Sequence, residues 1–262
     1  MTSGNRRQPA AAAPTPAAGQ REPADQTAGE GPSIWQRAAR PAPAPRTTLT
    51  YDQIAQAAIA LADAEGLGAV SMRRLASHLG VVPMAFYRYV SSKDDIIELM
   101  VDTVRSDGPT SQSADWRDVM RASARQIRAA TLSHPWLLEV SGRAAIALTP
   151  NGLAAIERAL SSIGSLGLDI GVTMDVVLAV GAYARGAAQA EISLSQVRTE
   201  QWCTGEGKQP AYPPGMKWLL DTGRYPTFQH YLSQDAGTDH AEARFEFGLH
   251  CLLDGISARL GI

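Results

Sequence analysis

The sequence has few of the features that mark secreted, membrane-spanning or disulfide-bonded proteins. Its two cysteines, Cys203 and Cys251, show neither a paired framework nor metal-ligand spacing, which favours free thiols in a reducing cytoplasm. No apolar signal core stands at the amino terminus. The most apolar helical stretch, 174–190, is interrupted by Asp175 and Arg185, so a buried helix explains it better than a membrane span. We therefore expect a cytoplasmic protein with no membrane partner.

Signatures of catalysis are absent as well. There is no Walker loop, no G-x-S-x-G elbow and no H-E-x-x-H pair. The five histidines are scattered, and the adjacent His250 and Cys251 point to different sides of a helix, which disfavours joint metal ligation. Carboxylates are not visibly paired on one apolar face. These absences argue against an enzyme, a metal site and a bound cofactor.

Aromatic residues make up only 6% of the chain, and its net charge of -2 is close to neutral. The 45% of hydrophobic residues is enough for a core, and its alanine- and leucine-rich make-up favours helix over sheet. No alternating strand pattern is visible, so we predict an all-α fold. Because the whole chain is not basic, any binding to DNA must depend on local positive charge.

Residues 1–46 are rich in Ala, Pro, Gly, Gln and Thr and contain hardly any large apolar side chain. Such a segment cannot offset its ordering entropy by burial, so we expect a disordered tail. Ile34 and Trp35 are exceptions that can dock on a neighbour. The end of the tail is basic, through Arg37, Arg40 and Arg46. Either these arginines reach along DNA as a flexible arm, or the segment is a solvated linker.

Residues 47–93 carry the start and stop signals of three short helices followed by the start of a fourth. The starts are marked by capping residues and a proline, and the corners by glycines: Thr50, Ser71, Pro83 and Ser92 for the starts, Gly66 and Gly80 for the corners. A glycine corner between two short helices is typical of a helix-turn-helix, because a side chain there would disfavour a positive φ. This segment therefore predicts a DNA-binding domain.

The third helix of this segment has one buried side and one open side. Phe86 and Val90 lie four residues apart and anchor the inner side, which leaves the other side for base edges. Met84 suits contact with a thymine methyl group, Arg88 suits a guanine edge or a phosphate, and Lys93 suits a phosphate. We expect the DNA contacts to come from Ser71, Arg73, Pro83, Met84, Ala85, Tyr87, Arg88, Tyr89 and Lys93. Taken singly, each is equally compatible with a solvated or core side chain.

The order of these signals resembles the tetracycline-repressor (TetR) family of bacterial transcription regulators. The matching residues are Ile54-x3-Ala58, Ala64-x-Gly66, Ser71-Met72-Arg73-Arg74-Leu75-Ala76, Leu79-Gly80-Val81 and Phe86-Tyr87-Arg88-Tyr89-Val90-x-x-Lys93. The resemblance implies a homodimer that reads a palindromic operator, usually as a repressor released by a small molecule. One departure is Val82, which cannot cap the third helix where many relatives have Ser or Thr.

Residues 94–262 continue as helices and are more loosely similar to the carboxyl-terminal domain of the tetracycline-repressor type. The matching residues are His134-Pro135-Trp136, Thr149-Pro150-Asn151-Gly152 and Tyr183-Ala184-Arg185-Gly186. Tetracycline-binding members have a metal-chelating histidine before the second of these motifs. Residues 143–148 contain none, which argues against a magnesium-chelated tetracycline as effector.

A long helix predicted from Asp169 to about Gln201 carries the candidate effector site. Side chains on one arc of it change from apolar to polar, which is the mixture that a ligand pocket needs. We expect an effector to contact Trp136, Arg143, Met174, Leu178, Ala182, Arg185, Gln189 and Phe228. The alternative is that these side chains pack the core and that Arg185 pairs with a nearby acid.

The last predicted helix, from Asp239 to Leu260, carries a wide apolar stripe. Its members are Phe245, Leu249, Leu252, Leu253, Ile256 and Leu260. This stripe is buried either within its own subunit or against a second copy, with the long helix completing a four-helix interface. Our leading hypothesis is a homodimeric repressor with an amino-terminal helix-turn-helix domain and a larger helical domain for ligand binding and dimerisation. The rival is a small-molecule-binding or protein-interaction module whose DNA reader is vestigial.

Overall fold

The computed structural model describes residues 32–39, 49–106, 113, 115–142, 148–201, 214–234 and 240–262, and every regular element within these ranges is helical. The helices are α1 (Ile34–Ala38), α2 (Tyr51–Glu65), α3 (Met72–His78), α4 (Pro83–Phe86), α5 (Lys93–Ser106), α6 (Trp116–Ser133), α7 (Leu137–Val140), α8 (Pro150–Gly164), α9 (Ile170–Gln201), α10 (Pro214–Asp221), α11 (Pro226–Gln234) and α12 (Ala241–Leu260). The all-α prediction is confirmed, and the predicted helix starts agree with the observed ones within about two residues.

The first of two hydrophobic cores forms what we call the head, which comprises α1–α5 and α7. Its largest fully buried side chains come from different helices: Ile34, Ile54, Leu75, Phe86, Ile96 and Met100. The predicted DNA-binding domain ends at residue 93. The head continues beyond that residue, because the buried face of α5 packs on α2. Two corners expected from glycine have positive φ, at Gly66 (82°) and Gly80 (67°).

Helix α1 corrects the expectation of a disordered tail over residues 1–46. Ser33 and Gln36 form a capping box around its first turn, and Ile34 is almost completely buried in the core of the head. Burial of this large apolar side chain offsets the ordering entropy of the short helix. Of that segment, only residues 32–39 are among those described.

The second core forms the body, which comprises α6, α8, α9 and α12. Ala159, Ile163, Val180 and Leu249 are among its buried side chains. Helices α9 and α12 approach closely at Gly248. A Cβ at this position would clash with the Tyr183 hydroxyl oxygen. That hydroxyl donates a 2.7 Å hydrogen bond to the Phe245 carbonyl oxygen and fixes the crossing.

Ion pairs along the outside of α6 bind α12 to the body. Arg125 forms a two-bonded pair with Glu246, at 2.7 and 2.8 Å, and Arg117 lies 2.7 Å from Asp254. Arg128 contacts both Glu242 of α12 and Glu191 of α9. The arginines recur at helical spacing on α6, so one face of this helix supplies the cations for the whole row.

Helix α5 connects the head to the body. Near its carboxyl end, the Asp102 carboxylate accepts hydrogen bonds from the Asn151 backbone amide at 2.7 Å and its side-chain amide at 2.9 Å. The Arg105 guanidinium donates to the Thr149 hydroxyl at 3.3 Å. Both partners stand at the amino end of α8, so a displacement of α8 would be transmitted to α5.

Among the described residues, helix α9 buries one side. Thr173, Val176, Val180, Ala184 and Ala188 face inward, at helical spacing. By length and apolar composition the described stretch Ile170–Gln196 would also be able to cross a membrane, and only 28% of its most apolar window is buried. The core helix of a soluble protein passes the same test, so the length and composition of α9 are weak evidence for a membrane span.

Candidate nucleic-acid interface and effector region

The recognition segment is a short helix followed by a turn. Pro83 occupies the first position of α4, and no side chain caps the helix at Val82, as its residue type predicts. Phe86 and Val90 are completely buried and hold this segment on the head. The predicted inner side of the reader is therefore confirmed.

The opposite side of this segment is open to solvent. Met84 is 81% exposed and Val82 is 68% exposed, which is unusual for large apolar side chains on a folded domain. Pro83, Tyr87 and Arg88 are also exposed, while Ala85 is half-buried. An apolar and cationic surface on a protruding helix has the make-up that a major groove accepts.

Tyr89 differs from the other candidates because its ring packs on the head. The ring lies edge-on to Tyr51, with 5.9 Å between the two ring centroids. Burial raises the pKa of the Tyr51 phenol, which stays neutral and able to donate a hydrogen bond. Tyr51 stands at the amino end of α2, and sequence reasoning did not single it out, since only the fold brings it beside Tyr89.

Two neighbouring arginines on α3 have different surroundings. The Ser71 hydroxyl accepts the Arg74 backbone N–H at 3.3 Å and so caps the helix, as predicted. The Arg74 guanidinium forms two hydrogen bonds with Glu65, at 3.0 and 2.8 Å, and this pairing holds the pKa of Glu65 below its ordinary value. Arg73 is also exposed, and Glu65 does not engage it.

Lys93 begins α5 and is half-buried. Its ammonium donates a 3.0 Å hydrogen bond to the Leu67 carbonyl oxygen. An ammonium has three donors, so this bond orients the group and leaves donors for a phosphate. The Ser92 hydroxyl accepts the Asp95 backbone N–H at 3.1 Å, which confirms the predicted cap.

The predicted effector contacts do not all lie together. Trp136 is only 3% exposed, packs in the core of the head and donates its indole N–H to Asp63 at 2.8 Å. The expectation for Trp136 as a ligand contact is therefore not met, because both the ring and its donor are already occupied by protein. Asp63 also contacts the His134 Nδ1 atom at 2.9 Å. No sequence signal connects Asp63 with partners more than 70 positions away.

The remaining effector candidates lie at the surface of the chain. Met174 is half-buried, while Leu178, Ala182, Arg185 and Gln189 form an exposed arc along α9. Phe228 is 47% exposed and stacks on Tyr231 within α11, with 6.0 Å between ring centroids. Arg143 lies outside the described residues. A group of at least three His, Cys, Asp or Glu side chains suited to a metal ion does not occur in the described part of the chain.

An open groove runs between α9 and α12. It is lined by Val172, Asp175, Val176, Ala179, Cys251, Leu252, Gly255, Ile256, Arg259 and Leu260. Leu252, Ile256 and Leu260 belong to the predicted apolar stripe of the last helix, whereas Phe245, Leu249 and Leu253 of the same stripe are buried in the body. The stripe thus has an inner half, which is buried in the body, and an outer half of Leu252, Ile256 and Leu260, which lines the groove.

Two family profiles match the chain and together cover most of it. The profile described as "Bacterial regulatory proteins, tetR family" matches residues 54–100, and the one described as "Tetracyclin repressor-like, C-terminal domain" matches residues 108–260. The HTH-type transcriptional repressor DrrR1 of Streptomyces coeruleorubidus is 34% identical over 228 residues, which cover 85% of this chain and 83% of that protein. An HTH-type transcriptional regulator of Saccharopolyspora erythraea is 29% identical and covers 82% of this chain and 87% of its own.

Solved structures with a similar fold include two from Streptomyces coelicolor. The regulator SCO7222, a TetR, has a TM-score of 0.64 at 25% identity and covers 80% of this chain and 99% of its own. ActR in complex with actinorhodin has a TM-score of 0.61 at 25% identity and covers 82% of this chain and 100% of its own. The described fold thus agrees with the matches of the sequence.

Proposed function

The chain belongs to the TetR family of transcription regulators, and from this premise we propose that it acts as a homodimeric repressor on a palindromic operator in the cytoplasm. It is a DNA-binding regulator of the kind that an effector releases. The observation that supports the proposed reading mode is the open side of α4 and the turn after it, where Met84 and Arg88 are exposed while Phe86 is buried. We assign it no reaction.

The exposed side chains divide into readers of bases and holders of phosphates. Met84 and Ala85 offer apolar contact to thymine methyl groups, and Arg88 offers a two-bonded contact to guanine. Tyr87 lies in the turn after α4, Arg73 lies on α3 and Lys93 begins α5, and all three suit backbone phosphates. Pro83 begins α4, and Ser71 caps α3. Tyr89 positions the recognition segment through its contact with Tyr51.

A second copy of the chain is the partner proposed for the surface of α9 and α12. The outer half of the apolar stripe lines an open groove with Val172, Val176 and Ala179. Two such faces packed around a two-fold axis would form a four-helix bundle and remove this surface from water. A dimer of this kind presents two recognition segments to half-sites one helical turn of DNA apart.

The proposed effector is a small molecule held by the body. Leu178, Ala182, Arg185 and Gln189 form one continuous arc of α9, apolar at one end and polar at the other. Met174 extends the apolar end, and Phe228 and Arg143 stay as proposed contacts. The relative ActR has been solved with actinorhodin bound, which supports a small organic effector for this chain too.

Selection of duplexes from a random library by the purified full-length chain tests this function. We expect recovered duplexes to share an inverted repeat, and their affinity to fall steeply as salt is raised, because phosphate contacts release counterions. Met84→Glu is the loss-of-binding variant. It adds a carboxylate to the exposed face without touching the core, and it should abolish recovery of the repeat. A chain that enriches no repeat, or a Met84→Glu variant that enriches the same repeat, contradicts the assignment of α4 as reader.

A further inference from the structure

Helix α1 brings an arginine to the amino end of α5. The Arg37 Nη2 atom lies 2.5 Å from Asp95 Oδ2, and the two side chains are only 19% and 17% exposed. The Arg37 Nη1 atom donates a 2.6 Å hydrogen bond to the Pro32 carbonyl oxygen, which orients the guanidinium. A mostly buried pair with a second orienting bond is much more fixed than an ordinary surface pair.

Helix α1 is held on the head by other contacts as well. Ile34 is buried in the core, and its neighbour Trp35 packs against the same core. The capping box of Ser33 closes the first turn. The position of Arg37 therefore does not depend only on the ion pair that it forms.

The amino end of α5 is rich in carboxylates. Asp94 and Asp95 stand in its first turn, and Glu98 follows one turn later. Asp95 Oδ2 accepts the Ser91 backbone N–H at 2.6 Å, which stabilises the start of the helix. Asp95 follows Lys93 by two residues, so its negative charge stands in the same first turn of α5 to which the proposed function brings a DNA phosphate. Burial raises the pKa of Glu98, and the nearby Asp95 raises it further, so these carboxyls influence one another.

We propose that α1 is a working part of the DNA reader and that Arg37 neutralises Asp95, so that a phosphate can approach the amino end of α5. The physical reason is that an uncompensated carboxylate within a few ångströms of the approach path repels a phosphate, while a fixed ion pair presents little net charge. Arg37 does not need to touch DNA and is a positioning residue. The inference rests on the proposed DNA binding.

The test is a charge-compensation cycle in the full-length chain, with Arg37→Ala, Asp95→Asn and the double variant. The probes are the duplex recovered by selection and an unrelated duplex of the same length. We expect Arg37→Ala to weaken both by about five- to tenfold at low salt, with a smaller effect at high salt. Asp95→Asn should restore both to within about twofold, because an asparagine oxygen still accepts the Ser91 N–H.

Melting temperatures of all variants separate charge from folding, and Ile34→Ala is the matched structural control. Ile34→Ala loosens α1 by loss of packing, so Asp95→Asn should not rescue it. Should Arg37→Ala fail to fold, Asp95→Asn alone still tests the idea, because it must bind both duplexes at least as tightly as the unchanged chain. Unchanged binding by Arg37→Ala, or a loss that Asp95→Asn fails to reverse, overturns the proposal. If the proposed DNA-binding function itself is wrong, the unchanged chain will prefer neither duplex, and this result is distinct from a failure of the Arg37 proposal.

Discussion

The Trp136 indole N–H donates to the Asp63 carboxylate over 2.8 Å, and this bond connects the turn after α6 to the first helix of the helix-turn-helix. His134, two residues earlier, contacts the same carboxylate at 2.9 Å. The body thus contacts the head here, where α5 meets α8, and where the Gln126 side-chain amide of α6 donates to the Arg105 carbonyl oxygen of α5 at 3.0 Å. A displacement of α6 or α8 would therefore be transmitted to the head.

Replacement of Trp136 by Phe keeps an aromatic ring in the core but removes the donor to Asp63. We expect the free energy of unfolding to fall by about 1–3 kcal/mol, because a part-buried carboxylate loses a hydrogen bond and a small void is left. Urea denaturation measures this. Trp218→Phe is the matched control, since Trp218 is 68% exposed, and it should have almost no effect. Equal losses in the two variants would contradict the role of this bond.

Loss of Arg88 should change which sequences are preferred. We expect Arg88→Ala to lose about 1–3 kcal/mol of binding free energy on the selected duplex and to discriminate less at one base pair of each half-site. Gel-shift titrations with single-base variants of the duplex measure this. Arg74→Ala is the comparison, because Arg74 is engaged by Glu65, and it should leave the order of preference unchanged. A uniform loss across all variants would assign Arg88 to a phosphate instead.

Loss of Lys93 should weaken all duplexes alike. We expect Lys93→Met to lower the slope of log affinity against log salt by about one, as removal of one phosphate contact does. Lys217→Met is the control, because Lys217 is exposed and paired with Asp221 on α10, and its slope should stay the same. The role assigned to Lys93 is wrong if the variant changes the order of preference among duplexes.

A bulky charge in the groove between α9 and α12 should dissociate the dimer. Ala179 is exposed and lines the groove, so Ala179→Arg puts a large charged side chain into this mostly apolar surface. We expect light scattering to show dimers for the unchanged chain and mainly monomers for the variant. Ala154→Arg, at an exposed position of α8, should stay dimeric. Persistent dimers of Ala179→Arg would place the interface elsewhere.

Part of the loss of folding stability at low pH should come from protonation of Glu246. Its two-bonded contact with Arg125 holds the pKa of this carboxyl below the ordinary value of 4.5. The contact therefore stabilises the fold above about pH 4.5, and that contribution is lost as the pH falls through the lower value of the folded state. We expect the unfolding free energy of Glu246→Gln to depend less on pH between 6 and 3. Arg125→Ala should remove the same pH-dependent part, and a full dependence in both variants would refute the assignment.

Local signals in the sequence predicted the helices well. Thr50, Ser71 and Ser92 cap helices as expected, and Gly80 forms the corner between α3 and α4. Such signals act over three or four residues, so the chain alone contains them. The buried anchors Phe86 and Val90 were equally predictable, because their spacing places both on one helical side.

Long-range placement was less predictable. Trp136 was expected beside an effector and instead packs in the head, because its role depends on Asp63, 73 positions away. The docking of Ile34 was anticipated, but the helix α1 that carries it was not, because the composition of the segment suggested disorder and the contacts that hold α1 on the head join it to residues far along the chain. Periodicity shows that a face is apolar, but it does not show which neighbour covers it.

The sequence by itself determined the helical class, the starts of helices α2 to α5 and the two buried anchors of the recognition segment, since these follow from caps, glycine corners and periodicity within single turns. Only the tertiary structure decided that Arg37 meets Asp95, that Lys93 is held by the Leu67 carbonyl, and that α5 joins the head to the body. Those contacts join residues far apart in the chain, and their energy depends on distance and burial in space, which a linear pattern does not contain.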